Sequence, residues 1–432
     1  MRRYPAHSYF LQVSLRRPTM SANPAVAGER PGGVGKTSRA EFICLLAALM
    51  AVNSIAIDIM LPAFPNMADF YSLSDPNNVQ FVLIAYIVGF GGAQIAFGPI
   101  SDRFGRRSPL FAGLGLYIVC ALIGAFAPTF GILLFARFFQ GLGAAATRII
   151  ALSIIRDTHS GRQMASIMSF VMMVFMIVPV IAPATGQVLI LIGHWQLIFA
   201  FMAIMSSLIT VWTVARLPET LPESHRRPLT LISIVQAFRI VLTNRLAFCY
   251  AMAIAFYFGS LFAYVSSAQQ IYVGVYDLGV WFPAFFSGVA ILMAVSNFVN
   301  AKLVGRLGQR RLSHGALVVY VVLSITLMIA ALLGPVPFWL FYLILGIMMP
   351  LFGWVVANFN SIAMEPLGAV AGTASAVLGF TQTAGGGIIG AVIGQTFDGT
   401  MLPLATGFAI VSTIALLLVL VAENGKLFGA EV

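Results

Sequence analysis

Gly98-Pro-Ile-Ser-Asp-Arg-Phe-Gly-Arg-Arg107 is a dense charged turn set between two long apolar runs. Five of its ten residues are Gly or Arg, and Asp102 adds a carboxylate among the bases. Charge is scarce elsewhere. Asp, Glu, Lys and Arg make up 9% of the 432 residues, against 60% hydrophobic residues. Mean hydropathy is +0.95. A water-soluble domain of this length cannot hide so much apolar surface, so lipid is the solvent for most of the chain. The turn therefore joins one membrane span to the next, and its charges belong at a membrane face.

About 20 apolar residues carry a helix across the bilayer core. Spans flank the turn at 79–100 and 108–128. Others fall at 42–65, 130–154, 165–191 and 195–216, then at 246–270, 281–303, 313–334, 337–359, 372–396 and 403–422. The chain reads as an all-α integral membrane protein of twelve transmembrane helices in two six-helix, pseudo-symmetric halves, 41–216 and 246–422. A linker at 217–245 joins them, with tails at 1–40 and 423–432. Within the linker, Leu229-Thr-Leu-Ile-Ser-Ile-Val-Gln-Ala-Phe-Arg239 suits an amphipathic helix lying on the membrane surface.

The basic residues set orientation. Of 24 Lys and Arg, 22 fall in loops or tails on one side, none in loops on the other, and two inside a helix. By the positive-inside rule both termini are cytoplasmic, and the inner (plasma) membrane is the expected location. An even number of spans also excludes a seven-helix receptor. The formal charge of +10 thus sets topology and does not mark a nucleic-acid binder, which needs a basic face on a soluble fold. The first 40 residues lack an apolar segment and read as a disordered tail, not a cleaved signal peptide. Met1 and Met20 both stay open as the start. Cys44, Cys120 and Cys249 lie in apolar runs, so neither a disulfide framework nor a metal site is expected. After the eighth span, Lys302-Leu-Val-Gly-Arg-Leu-Gly-Gln-Arg-Arg311 copies the charged turn without its aspartate. A similar loop at the same place in each half implies an internal repeat, the device by which transporters rock one half against the other. Lacking the carboxylate, the copy is not expected to act like the first turn.

Two glycine-rich stretches imitate nucleotide motifs. Gly32-Gly-Val-Gly-Lys-Thr-Ser38 has Arg30 where a phosphate-binding loop needs Gly, and neither a buried strand nor a soluble helix frames it. Gly141-Leu-Gly-Ala-Ala-Ala146 lies inside a span, where small residues let helices approach closely. No nucleotide is expected.

Three ionisable groups lie deep within spans: Asp58, Arg137 and Arg148. Each costs roughly 2.5–3.5 kcal/mol on insertion scales and needs a partner or a wet cavity. Asp58 lies about 16 residues into the first span, roughly 24 Å at helical rise, a depth that Arg137 shares from the other end of the fourth. That depth match predicts a pair between helices 1 and 4. Arg148 follows Arg137 by three turns and about 20°, so both share one stripe of helix 4 with Gln140 on its flank. The functional reading makes Asp58 a proton carrier whose affinity changes with its solvation and with nearby cations. A static ion pair is the structural alternative. Candidates to line a substrate cavity between the halves are Asn53, Tyr86, Gln94, Gln140, Tyr257 and Gln382, with Phe side chains between them. An aromatic, weakly polar cavity suits small amphipathic compounds and argues against strongly anionic ones. An intramembrane enzyme is disfavoured, because no His/Cys/Asp cluster falls in the spans; His194 and His314 look isolated near span ends.

The charged turn resembles the signature loop between helices 2 and 3 of the major facilitator superfamily. Asn53-Ser-Ile-Ala-Ile-Asp-Ile-Met-Leu-Pro62 is similar to the helix 1 motif of its twelve-helix drug/proton antiporters. Arg137-Phe-Phe-Gln-Gly-Leu-Gly143 is similar to their helix 4 motif, whose arginine is implicated in proton transfer. Val178-Pro-Val-Ile-Ala-Pro-Ala-Thr-Gly186 resembles the helix 5 antiporter motif carrying Pro179, Pro183 and Gly186. It departs from the fuller form at Ala182 and Gln187. His194-Trp195 and Gly372-Thr-Ala-Ser-Ala376 resemble the Bcr/CflA, bicyclomycin-resistance type, branch. The resemblance implies a monomeric, cofactor-free antiporter that exports amphipathic drugs in exchange for protons, with Asp58 and Arg137 in coupling. A proton-coupled symporter for a small metabolite is the alternative. It further implies that Gly98, Asp102, Arg103, Gly105 and Arg106 form a cytoplasmic gate, Asp102 latching onto a neighbouring helix start or a facing arginine.

Overall fold

The computed structural model describes residues 37–226 and 231–429. The expected disorder of the tail before residue 37, most of the Gly32 glycine-rich stretch and the start of the linker helix lie outside them. Twelve helical spans cross the bundle. In the first half they are α1 (Arg39–Phe70), α2 (Pro76–Phe104), α3 (Arg107–Ala125), α4 (Phe130–Thr158), α5 (Ser166–Ile192) and α6 (Gln196–Arg216). The second half comprises α7 (Arg245–Val275), α8 (Gly279–Leu307), α9 (Gln309–Leu333), α10 (Phe338–Leu367), α11 (Ala374–Gln395) and α12 (Leu402–Ala422). No strand occurs among the described residues. With no water in the bilayer core, every backbone polar group must be satisfied within the segment, and the helix does this for each apolar run. Side chains finish several helix ends: the Ser38, Thr129 and Asn244 oxygens accept from Glu41, Ile132 and Ala247 N–H groups.

Each half packs within itself. In the first, α4 lies against α2 and α3, and glycines bring the backbones together. A Cβ at Gly141 would collide with the Tyr86 carbonyl of α2, and one at Gly143 with the Gly113 carbonyl of α3. The small-residue run thus serves close packing, as its place inside a span requires. Between halves, α2 meets α11 and α5 meets α8. A helix at Leu231–Thr243 follows the first half. It rests on the second, with Val241 buried beside Leu367 and Val377 and Phe238 against Phe380.

The loops rich in Arg gather at one end of the bundle, called here the basic end. At the opposite end, amides close the seam between the halves. Asn77 Nδ2 donates to the Phe397 carbonyl at 2.7 Å, and Gln80 Nε2 to Gln270 Oε1 at 2.6 Å. Gln270 Nε2 donates to Asn77 Oδ1 at 2.7 Å and Gln395 Nε2 to the Asn77 carbonyl at 2.8 Å. Gln80 is fully buried. This clasp was not foreseen: four neutral amides near span ends carry no charge signal in the sequence.

Candidate transport pathway and coupling site

A cavity of about 360 Å³ opens between the halves near the basic end, walled by α2, α4, α10 and α11. Asp102, Arg106, Arg156 and Asp157 line it, with Arg148, Gln94, Asn360 and Gln382. Gln94 crosses between the halves, donating to Thr383 Oγ1 at 3.1 Å. A π-helical turn at Thr381–Gly385 displaces α11 there and carries Gln382 and Thr383. Such bulges gather at functional sites, because the widened turn re-aims side chains. With the far end clasped and this end open, the molecule stands in one access state, closed beyond the cavity.

Two of the six expected cavity residues, Gln94 and Gln382, line it. The other four do not. Tyr86 donates to Asn53 Oδ1 at 3.1 Å, both buried within the first half. Gln140 accepts from Arg137, and Tyr257 packs on Tyr320 and Phe352. Among the described residues the cavity wall holds no aromatic ring, against the expectation of an aromatic lining. Rings at those depths stack on one another inside each half, where apolar area is buried from both sides.

Asp58 ends the first helical segment of α1, just before the Pro62 turn that breaks it. Its carboxylate is 6% exposed and accepts one bond, from Ser54 Oγ at 3.3 Å. The expected pair with Arg137 is absent. Arg137 is fully buried and spends its donors on neutral acceptors. Nη2 reaches the Ala56 carbonyl of α1 at 2.9 Å, Nε the Val82 carbonyl of α2 at 3.2 Å, and Nη1 Gln140 Oε1 at 2.7 Å. The guanidinium lies 4.3 Å from the centre of the Tyr86 ring. Depth placed the two charges at one level, but the helix rotations point them apart. Asp58 instead sits where α1 meets α5 and α7. A Cβ at Gly186 would collide with the Ile59 carbonyl, so this motif glycine presses α5 onto the backbone next to Asp58. Between Pro179 and Pro183, the Val180 carbonyl accepts from Ser287 of α8 at 2.6 Å, tying α5 to the other half.

At the basic end the charged turn is organised around Arg106, not Asp102. Arg106 Nη1 donates to Asp102 Oδ1 at 2.6 Å, one turn back in its own loop, and Nε to Asp157 Oδ2 of α4 at 2.7 Å. Glu219, after α6, supplies the carboxylate at the neighbouring helix start. It accepts from the Arg106 and Arg107 N–H groups at 2.8 and 3.1 Å. Burial favours its neutral form, but those bonds and two from Leu221 and Thr220 outweigh it and hold Glu219 below the usual carboxylate range. Gly105 makes room: its φ is +85°, and a Cβ there would strike Glu219. Arg103 lies over the Phe104 ring, and Gly98 borders the cavity with open space around it. Asp157 and Glu219 escaped notice because one ends α4 and the other follows α6, both far along the chain from Arg106.

The second charged turn is less different than its missing aspartate implied. Arg310 donates to Glu423 at 2.9 Å and to Glu365, in the last turn of α10, at 2.8 Å. Arg106 and Glu219 are 113 positions apart, as are Arg310 and Glu423. Both halves therefore bind their turn to the ends of their fourth and sixth spans. His314 joins this network, sharing a 2.8 Å bond with Tyr250, and is not isolated. Among the described residues, every ion pair lies within one half or within the linker.

Twelve spans, paired charged turns and a cavity between the halves agree with the sequence comparison. The pattern of the Major Facilitator Superfamily matches residues 46–391. The chain belongs to that superfamily. It is similar to the MFS-type transporter YdgK of Bacillus subtilis, at 30% identity over 81% of this chain and 87% of that one. A bicyclomycin resistance protein homolog of Haemophilus influenzae is 28% identical over 89% and 97% of the two chains. Multidrug resistance protein D of Escherichia coli is 26% identical over 83% and 90%. Among solved structures, the partially occluded inward-open xylose transporter XylE of E. coli superposes with a TM-score of 0.67 at 12% identity, covering 88% of this chain and 97% of that one. A bacterial homolog of the human lysosomal transporter Spinster gives 0.66 at 16% identity, over 92% and 96%. The protein is thus a multi-pass membrane transporter of the superfamily, not an enzyme.

Proposed function

We propose that this superfamily member is a proton-coupled antiporter that exports small amphipathic compounds across the inner membrane, its basic end and both termini facing the cytoplasm. The single observation that carries coupling is Asp58: a buried carboxylate with one hydroxyl partner and no paired cation among the described residues, at the junction of α1, α5 and α7. A charge without a counter-ion inside a bilayer is costly, and a proton discharges it. Because Gly186 of α5 presses on the backbone beside Asp58 and α7 packs on the turn that follows it, rocking of one half against the other changes its solvation and hence its hold on the proton. Similarity to bicyclomycin and multidrug resistance proteins supports the export direction and the substrate class. No cofactor beyond the proton is invoked, and a monomer suffices.

Proteoliposomes loaded with a fluorescent amphipathic dye test the reading. An imposed pH gradient is expected to drive dye movement in the wild type, with countermovement of protons. Asp58→Asn should abolish that movement while equilibrium dye binding persists. Gradient-driven export that survives in Asp58→Asn would sink the coupling role.

A further inference from the structure

Arg148 is the charge for which neither the gate nor the coupling site has a use. It sits on α4 nine residues before Asp157, roughly 13 Å deeper into the membrane at helical rise, on the wall of the cavity. Among the described residues it makes no hydrogen bond and no ion pair. Its one ring contact is Phe90, 6.0 Å from the guanidinium to the ring centre. Its nitrogens are not among the buried, unpartnered polar atoms, so they open onto the cavity. The neighbouring charges are committed or distant. Arg106 is held by Asp102 and Asp157, and Arg156 stands a turn or more nearer the mouth. Nearby, Gln382 gives its Oε1 to Asn360 and keeps its amide nitrogen without a partner among the described residues.

We propose that Arg148 is the anion-recognition residue of this cavity, and that the compounds it exports carry a carboxylate or sulfonate beside an apolar body. The proposal rests on the reading of this cavity as the export pathway. A guanidinium offers a planar fork of N–H donors that fits two carboxylate oxygens at once. An unpaired arginine inside a span is expensive, and packing on Phe90 alone does not account for it. The bound anion completes the site: its charge meets Arg148, its second acceptor edge meets the Gln382 amide, and its apolar part lies along Ile149 and Leu152. A cationic compound would instead meet a like charge at the cavity's depth. The proposal runs against the expectation that a weakly polar cavity disfavours strongly anionic compounds.

The test is equilibrium binding to purified full-length protein in detergent, with no pH gradient, so that failure of proton coupling does not touch it. The probes share one scaffold: naphthoxyacetate, its methyl ester and a trimethylammonium analogue. Wild type should bind the carboxylate at least tenfold more tightly than the ester. Arg148→Gln should lose that preference while its melting temperature and ester affinity stay unchanged, and Arg148→Lys should restore part of it. Equal affinity of the wild type for carboxylate and ester overturns the proposal without involving any variant. A preference kept by Arg148→Gln assigns the anion to another residue and overturns it equally.

Discussion

At the scale of single residues, function is divided among charges that the fold keeps apart. Asp58 stands alone with Ser54, Arg137 knits α1, α2 and α4 through carbonyls, and Arg106 and Glu219 tie a loop to two helices. Glu219 yields a pH prediction. Its carboxyl is held below the ordinary value, so its ionised form stabilises the loop fully above that ordinary value. The stabilisation disappears as pH falls through the lowered, folded-state value. Hydrogen exchange of the Arg106 and Arg107 amides, corrected for intrinsic rates, should therefore be flat from neutral pH to about pH 5 and rise only below it. Glu219→Gln should already show the faster exchange at pH 7. Identical protection in both proteins at pH 7 would remove Glu219 from the gate. Asp58 and Arg137 were both legible in the sequence as costly intramembrane charges, yet their relation was not. Depth follows from counting residues, whereas the direction a side chain faces depends on how each helix is rotated against its neighbours.

At the scale of helices, the apolar runs and basic loops made all twelve spans and the internal repeat readable, because lipid permits so few backbone solutions. Contacts between helices were readable only as far as small residues advertise them. Gly186 stood out as a motif position, but nothing in the chain says that its partner is the Ile59 carbonyl. The π-helical turn that presents Gln382 was equally hidden, since one extra residue in a turn leaves no mark on an apolar pattern. Gly186 carries the prediction at this scale. Gly186→Val must push α5 off α1 beside Asp58. Gradient-driven transport should fall at least tenfold, while Gly115→Ala in α3, where a Cβ meets nothing within 4 Å, should stay near wild type. Dye efflux from proteoliposomes compares the two, and equal activity would show that the close approach at Ile59 is dispensable.

At the scale of the whole molecule, the two ends of the seam are closed by different chemistry. The described ion pairs stay within each half, so at the basic end the halves part without breaking any of them. At the far end, the Asn77, Gln80, Gln270 and Gln395 bonds run between halves and must break for access to alternate. Gln270→Ala removes two of them, about 2 kcal/mol in all and roughly thirtyfold in the balance between states. Spin labels on Ser74 and Thr400, both exposed at that end, should then report a larger share of long distances by pulsed electron resonance. An unchanged distance distribution would show that the clasp does not hold the seam. The makeup of that clasp matters beyond its strength. Carboxamides neither gain nor lose protons in water near neutrality, and their bonds are far less sensitive to salt than ion pairs. On the proposed orientation this seal faces the medium outside the cell, whose acidity and salinity the cell does not control. Its release is then indifferent to that weather, so a pH dependence of turnover above about 5, where the Glu219 loop stays ionised, reads the proton-carrying step and not the seal.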